Sequence, residues 1–173
     1  MTARGTAGLL AVLAALGGYL WLVEFRPAPA RDADAAPALL ATPTAAARVD
    51  LERPDRPLRA IRAGTSWTDD AGRPWQTDAV GDLLATLATL RPVMVVDAEA
   101  GEPASYGLTT PERLRVSAAD GRELTRIDVG KPNPSGTGLY ARVGDRRDVV
   151  LIGAVLRWEL DKLRSGAPEA VRP

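Results

Sequence analysis

The sequence lacks two residue types that carry much of enzyme chemistry. Its 173 residues include no cysteine and no histidine. Without cysteine the chain has no disulfide, no thiol nucleophile and no attachment point for a lipoprotein lipid. Without histidine it lacks the commonest general base and the commonest transition-metal ligand. A Ser-His-Asp triad and a histidine zinc site are therefore excluded. No other pattern predicts a cofactor or a metal site, so we expect a non-enzymatic protein.

An excess of charge of either sign is also missing. The chain carries 22 basic and 22 acidic residues, and the two signs are mixed without a long run of either. Proteins that bind nucleic acids need an excess of basic side chains to neutralise phosphates. We therefore expect no nucleic-acid partner.

One long uncharged stretch is present near the N-terminus. Its 17 residues read AGLLAVLAALGGYLWLV from position 7. As a helix it would span about 26 Å, close to the ~30 Å thickness of a bilayer core. Tyr19, Trp21 and Phe25 lie towards its C-terminal end, and aromatic rings of this kind prefer the membrane–water interface. The pattern predicts a transmembrane anchor over residues 7–25.

A cleaved signal peptide is the alternative reading of this stretch. Residues 28–30 read Ala-Pro-Ala, a faint cleavage site, but the apolar core is slightly too long and charged Glu24 and Arg26 follow it. A buried helix of a soluble domain is a third alternative. The first two readings both export the rest of the chain. A short tail over residues 1–6 ahead of a long domain favours a cytoplasmic N-terminus and an extracytoplasmic C-terminal domain.

The segment after the anchor has the composition of a spacer. Residues 26–47 contain four prolines and many alanines but few large apolar side chains. Such a segment buries too little surface to offset the entropy of ordering it, and proline keeps it extended. We expect a linker over residues 26–47, a folded domain over residues 48–166 and a disordered tail over residues 167–173.

The domain alternates strand and helix patterns. Apolar residues at helical spacing predict helices over residues 80–90 and 154–164. Period-two alternation or short apolar runs between turn signals predict the strands, at residues 49–51, 58–63, 93–96, 113–118, 124–129, 139–143 and 149–152. Because most neighbouring strands are joined by short turns, the sheet is expected to be largely antiparallel. The predicted fold class is α+β, with two helices packed on the sheet.

Three stretches of the domain have polar or aromatic groups that invite a functional reading. Trp67 and Trp75 flank a hairpin turn and suggest either a carbohydrate platform or, more simply, core packing. Acidic residues after position 96 lack the spacing of a calcium loop and read as a solvated loop. The Gly-rich segment 130–138 lacks the order of residues found in a phosphate-binding loop. We interpret it as a long hairpin loop whose exposed polar side chains are a candidate partner contact, namely Lys131, Asn133, Ser135 and Thr137.

The order and spacing of these motifs resemble the bacterial family called domain of unknown function 4340. The resemblance rests on the N-terminal apolar helix, Ser66-Trp67, the helical pattern over residues 80–90, Tyr106-Gly107-Leu108 with Pro111, Asp120-Gly121, Val129-Gly130-Lys131, Leu139-Tyr140-Ala141-Arg142 and Val149 to Ile152. It implies a single-pass protein of the bacterial inner membrane with an extracytoplasmic (periplasmic) α+β domain. Genes of this family often neighbour an ABC-type exporter and a gliding-motility-type auxiliary subunit. The family has no established catalytic residues.

Two functions from different classes are consistent with these observations. The first is a non-enzymatic, membrane-anchored accessory subunit of an ABC-type envelope transport complex. Its partners would be the membrane, an ABC-type permease and an extracytoplasmic auxiliary subunit, contacted through the anchor and the domain. The alternative is an extracytoplasmic glycan- or ligand-binding domain, possibly hydrolytic, which needs a cleft that unites an aromatic with two carboxylates. Its candidate residues are Trp67, Trp75, Asp69, Asp70, Asp97 and Glu99.

Overall fold

The computed structural model describes residues 36–53, 56–75 and 78–168, together with Leu16 and Tyr19. The chain divides into two compact units, Met1–Asp34 and Ala35–Pro173. In the first unit Leu16 and Tyr19 are helical, and Tyr19 is 65% exposed. Across the described residues, no helix is long and apolar enough to span a membrane. Trp21, Phe25 and the rest of the predicted anchor lie outside the described residues.

The second unit is built on one eight-stranded sheet whose strand order is β3-β2-β1-β5-β6-β7-β8-β4. Every pairing between neighbouring strands is antiparallel. The predicted α+β class with an antiparallel sheet is therefore confirmed. The strands are β1 (Ala46–Glu52), β2 (Leu58–Ala63), β3 (Ser66–Thr68), β4 (Met94–Asp97), β5 (Glu112–Ala118), β6 (Glu123–Pro132), β7 (Gly138–Val143) and β8 (Val149–Gly153).

Two helices close one face of this sheet. They are α1 (Ala79–Thr89) and α2 (Val155–Ser165), and each places its apolar stripe in the core. Burying one leucine side chain stabilises a fold by about 1.5–3 kcal/mol. Each helix therefore packs with its apolar stripe against the sheet. Lys162 of α2 adds a polar link, because its ammonium contacts Glu159 at 3.2 Å and Asp82 of α1 at 3.5 Å. The largest fully buried side chains include Leu51, Leu83, Leu87, Leu114, Ile127, Ile152, Leu156, Leu160 and Leu163.

The connections on either side of β4 pass over opposite faces of the sheet. Strands β3 and β4 form its two outer edges, so α1 carries the chain across the whole sheet on the helical face. The return from β4 to β5 crosses the other face, where the Tyr106 ring meets the Tyr140 ring of β7 with centroids 5.1 Å apart. The return segment leaves the rest of this second face open, and charged side chains line it.

The folded domain begins earlier than its composition suggested. The predicted linker extended to Ala47, yet Leu39 and Leu40 are only 5% and 1% exposed. Their amides donate to the carbonyls of Leu90 and Leu87, at 2.9 and 3.0 Å. The last carbonyls of a helix have no partner within it, and here this segment supplies their donors. The boundary was wrong because the alanines and prolines around two leucines hid a core-forming pair.

The first residues after α2 also pack against the domain. Ala167, placed in the predicted tail, is 8% exposed. The carbonyl of Pro168 accepts a hydrogen bond from Arg56 at 2.8 Å. The remainder of that predicted tail, residues 169–173, lies outside the described residues.

Leu40→Ala tests the revised boundary. Because Leu40 is a fully buried core residue, the substitution should lower the free energy of unfolding by about 2–5 kcal/mol in urea denaturation. Thr42→Ala is the matched control, since the Thr42 side chain is exposed and forms no capping hydrogen bond. If the two variants were equally stable, residues 36–47 would belong to the linker, as the composition predicts.

Candidate interaction site on the open sheet face

Charged side chains line the open face of the sheet in register. Arg113 of β5 lies opposite both Glu52 of β1 and Asp128 of β6, and Asp128 lies opposite Arg142 of β7. The Nε atom of Arg113 contacts the Asp128 carboxylate at 2.7 Å, and one of its Nη atoms lies 3.5 Å from Glu52. The hydrogen bond that Arg113 donates to Asp128 raises the pKa of Arg113 and keeps its guanidinium charged. Opposite charges that face each other across strands stabilise this row.

A second row runs beside the first. Arg115 of β5 bridges Glu52 and Glu123, each at 3.2 Å. Further out, Arg59 of β2 contacts Asp50 of β1 at 2.5 Å. These carboxylates therefore already have guanidinium partners. This part of the face is a network of ion pairs.

Next to this network of ion pairs lies a cleft of about 430 Å³ that is lined by more arginines than acidic residues. Its floor is the open face of β5, β6 and β7, and its walls are the loop after β4 and the turn between β7 and β8. Five arginines line it against three acidic residues. The charged residues are Arg113, Arg126, Arg142, Arg146, Arg147, Glu99, Asp128 and Asp145.

Two of the five arginines have no ionic partner within the described part of the chain. Arg126 pairs with Asp145, and Arg146 holds Asp148 through two hydrogen bonds of 2.8 and 2.6 Å. Arg142 and Arg147 form no such pair among residues 36–53, 56–75 and 78–168. The Nε atom of Arg142 is buried and has no acceptor there. A buried donor left unsatisfied costs about 1–3 kcal/mol, and the side chain that carries it lines the cleft without an ionic partner.

The loop that forms one wall of the cleft is held by Asp97. Its carboxylate accepts hydrogen bonds from the amides of Glu99, Ala100 and Gly101 at 3.0–3.2 Å and from the Tyr106 hydroxyl at 3.3 Å. The bond from the Glu99 amide, followed by the other donors, lowers the pKa of Asp97. Ala100 adopts a positive φ of 51°, which non-glycine residues rarely do. The wall therefore has a defined shape.

A glycine lets this loop approach the sheet. A Cβ atom on Gly130 of β6 would lie 2.2 Å from the carbonyl oxygen of Tyr106. The sequence predicts a loop over residues 130–138, but Gly130 belongs to β6. The close approach of the Tyr106 backbone explains why a glycine stands there. Only glycine fits at this position.

The predicted partner-contact residues form a self-contained turn. The Asn133 amide group donates to Ser135 at 2.8 Å and to Thr137 at 3.2 Å, and its oxygen accepts from the Gly138 amide at 3.0 Å. Lys131 is exposed near the end of β6. These residues lie close to one another, and their contact with a partner stays a prediction.

The residues of the alternative glycan site are brought together only in part. Trp75 is 8% exposed, and Trp67 packs half-buried against the core with the Arg62 guanidinium 5.7 Å from its ring centroid. Asp69 and Asp70 follow β3, whereas Asp97 and Glu99 lie at β4, the opposite edge of the sheet. A cleft of about 640 Å³ is lined by Trp75, Asp69 and Asp70, whereas Asp97 and Glu99 lie far from it. Core packing was the better interpretation of the two tryptophans.

Gly130→Ala should destabilise the domain. Its new methyl group must displace the Tyr106 backbone, and overpacking of this kind costs about 1–3 kcal/mol. Gly81→Ala is the control, because no atom outside its own helix surrounds that position. In α1 that change should be neutral or stabilise by about 0.5–1 kcal/mol. Thermal unfolding of both variants is the measurement, and equal melting temperatures would contradict the close approach.

The pH dependence of stability should report on Asp97. Because its pKa is lowered by folding, its contribution is fully present above about pH 4, the unfolded value, and is lost as the pH falls through the folded value. Asp97→Asn removes the charge, so the variant should be less stable at pH 6 and should lose less on acidification. Urea unfolding from pH 6 to pH 2.5 measures this. Parallel pH profiles for the two proteins would show that Asp97 makes no such contribution.

Comparison with known proteins identifies a family and nothing closer. No curated protein and no solved structure matches the chain. The model of the family described as "Domain of unknown function (DUF4340)" matches residues 67–166, more than half of the chain. That range contains the whole cleft, while β1 and β2 precede it. The chain belongs to the DUF4340 family.

Proposed function

We propose that the chain is a non-enzymatic, membrane-anchored accessory subunit of an ABC-type transport complex in the bacterial inner membrane. In this proposal residues 7–25 form a single-pass anchor that contacts the permease. The domain lies outside the cytoplasm and binds an acidic surface of an extracytoplasmic auxiliary subunit. The arginine cleft on the open sheet face is the site of that contact.

The observation that carries the proposal is the unmatched pair Arg142 and Arg147. Elsewhere on the face most arginines, such as Arg59, Arg113 and Arg115, meet carboxylates of the same chain, and such pairs have little left to offer a partner. The exposed Arg48 of β1 is an exception that lies outside the cleft. In the cleft two guanidiniums lack a carboxylate among the described residues. Arginine presents planar, forked donors that match a carboxylate with two parallel hydrogen bonds. An acidic protein surface satisfies both side chains.

The form of the cleft also supports a binding role. It is open and shallow, its floor is a rigid sheet, and its wall is held by Asp97. Interaction sites on rigid elements lose little conformational entropy when a partner docks. Genes of the family that the chain resembles often neighbour an ABC-type exporter, which supports a transport complex. The cleft supports a contact with an acidic partner.

Co-purification tests this proposal. The tagged full chain, extracted from its native membranes in a mild detergent, should recover an ABC-type permease and an auxiliary subunit. Arg142→Gln together with Arg147→Gln should reduce recovery of the auxiliary subunit about tenfold or more, because each lost hydrogen bond to a charged group is worth about 1.5–3 kcal/mol. The permease should still co-purify, since its contact is the anchor.

Arg122→Gln is the matched control for this experiment. Its side chain is 65% exposed at the β5–β6 turn, at the far end of β5 from Arg113. It removes one positive charge, where the double variant removes two, without touching the cleft, and should leave recovery unchanged. Isolation of the chain without any partner would contradict the accessory role, and equal recovery by the double variant and the control would contradict the role of the cleft.

A further inference from the structure

Exposed apolar side chains collect at one corner of the layer formed by α1 and α2. Val155 and Trp158 lie one turn apart on α2 and are 45% and 71% exposed. Val93, shortly after the end of α1, is 54% exposed. Its amide donates to the carbonyl of Leu151 at 2.7 Å, which places it beside the end of β8, where α2 begins. We call Val93, Val155 and Trp158 the apolar corner.

The side chain of Trp158 faces away from the sheet. Leu156, Leu160 and Leu163 form the buried side of α2, and helical spacing places Trp158 on the opposite side. It has no ring or cation partner among the described residues. Tryptophan joins a large apolar ring to one N–H donor, a combination suited to a boundary between an apolar phase and water.

Two arginines flank the apolar corner. Arg91 precedes Val93 and donates to the carbonyl of Ala36 at 2.7 Å, and Arg157 is the exposed neighbour of Trp158. Neither guanidinium forms an ion pair with a residue in the described part of the chain. Tryptophan, aliphatic side chains and basic residues together are typical of a protein surface that lies on an anionic bilayer.

The chain enters the folded domain beside the apolar corner. Ala36 is the first residue of the domain that the structure describes, and Arg91 holds its carbonyl. Leu90 connects this entry to the corner. Its carbonyl accepts a hydrogen bond from the Leu39 amide, and its side chain lies 3.5 Å from a Cβ atom placed on Gly153. Any segment ahead of Ala36 is therefore attached next to the apolar corner.

The connection to the predicted anchor is short. Residues 26–35 separate that anchor from Ala36. An extended chain spans at most about 3.6 Å per residue, so these residues bridge no more than about 40 Å. A domain of this size is itself about 40 Å across. A bilayer that holds residues 7–25 is therefore within reach of the side of the domain on which the apolar corner lies.

We propose that the apolar corner lies on the surface of the lipid bilayer, with Trp158 at the level of the headgroups and Arg91 and Arg157 beside lipid phosphates. This inference rests on the anchor in the proposed function and names the surface against which the domain is held. Because α2 covers one face of the sheet and the arginine cleft opens on the other, the cleft then points away from the lipid. It is left free for a partner outside the membrane.

Fluorescence from single labelled cysteines tests this contact, since the chain has no cysteine of its own. Trp158→Cys would be made in the full chain, labelled with an environment-sensitive fluorophore and reconstituted into liposomes of zwitterionic and anionic phospholipid. The emission should shift to shorter wavelength, and lipids with a nitroxide on the headgroup should quench most of it. Arg122→Cys is the control, because the turn that carries it lies at the opposite end of the strands from the corner. Its label should keep the emission it has in water.

A charge substitution tests the role of the flanking arginines. One basic side chain near an anionic bilayer surface strengthens association about fivefold. Arg157→Gln in the labelled Trp158→Cys chain should therefore lower the ratio of quenched to unquenched label about fivefold. Arg122→Gln removes one charge away from the corner and should leave that ratio unchanged. Equal ratios for the two variants would contradict the contact of Arg157 with lipid phosphates.

A label at Leu16→Cys separates this inference from the proposed function. Leu16 lies within the predicted anchor, so nitroxides deep in the acyl chains should quench its label. If they do while position 158 behaves like position 122, the anchor stands and the lipid contact is overturned. If position 16 is not quenched, the anchor fails and the inference that rests on it fails too. Protection of position 158 in native membranes but not in liposomes of lipid alone would identify a protein occupant and would also overturn the lipid contact.

Discussion

The burial of two leucine-rich helix stripes against one face of the sheet is the interaction on which the rest of the domain depends. Leu83 and Leu87 of α1 and Leu156, Leu160 and Leu163 of α2 are almost completely removed from water. Because both helices pack against the same face of the sheet, the other face is exposed to water and must carry polar side chains. The charged rows on β1, β5, β6 and β7 are the consequence, and the cleft lies where those rows end.

The long crossover of α1 has a second consequence. It takes the chain from one edge of the sheet to the other, so β4 is added outside β8 and far from its sequence neighbour β3. The core helices do not reach over this last strand, as the half-exposed Val93 and Val95 show. The surface to which we assign a protein contact is the face that the helices leave open.

Much of the fold could be predicted because most helices and strands show a clear pattern of apolar residues along the chain. The stripe over residues 80–90 and the alternation at Leu114 and Val116 depend only on neighbouring residues, and both elements formed as expected. The start of the domain could not be predicted, since Leu39 and Leu40 join the core only through the end of α1. The exposure of β4 was equally hidden, because a run of four apolar residues reads as a buried strand until the strand order is known.

The cleft was missed for a related reason. Arg113, Arg126 and Arg142 each alternate with apolar residues, so the sequence indicates that they face water. It does not indicate which of them meets a carboxylate on the next strand, because that depends on register. The same limit applies to the glycan hypothesis, whose acidic residues seemed comparable in sequence and proved to lie at opposite edges.

Arginine-specific labelling shows whether another molecule covers the unpaired arginines of the open face. Native membranes and the purified full chain would be treated with phenylglyoxal, and modification at each arginine read by mass spectrometry. We predict that Arg142 and Arg147 are protected in membranes and become reactive on purification, while Arg122 reacts equally in both. Equal reactivity of Arg142 and Arg147 in the two samples would contradict it.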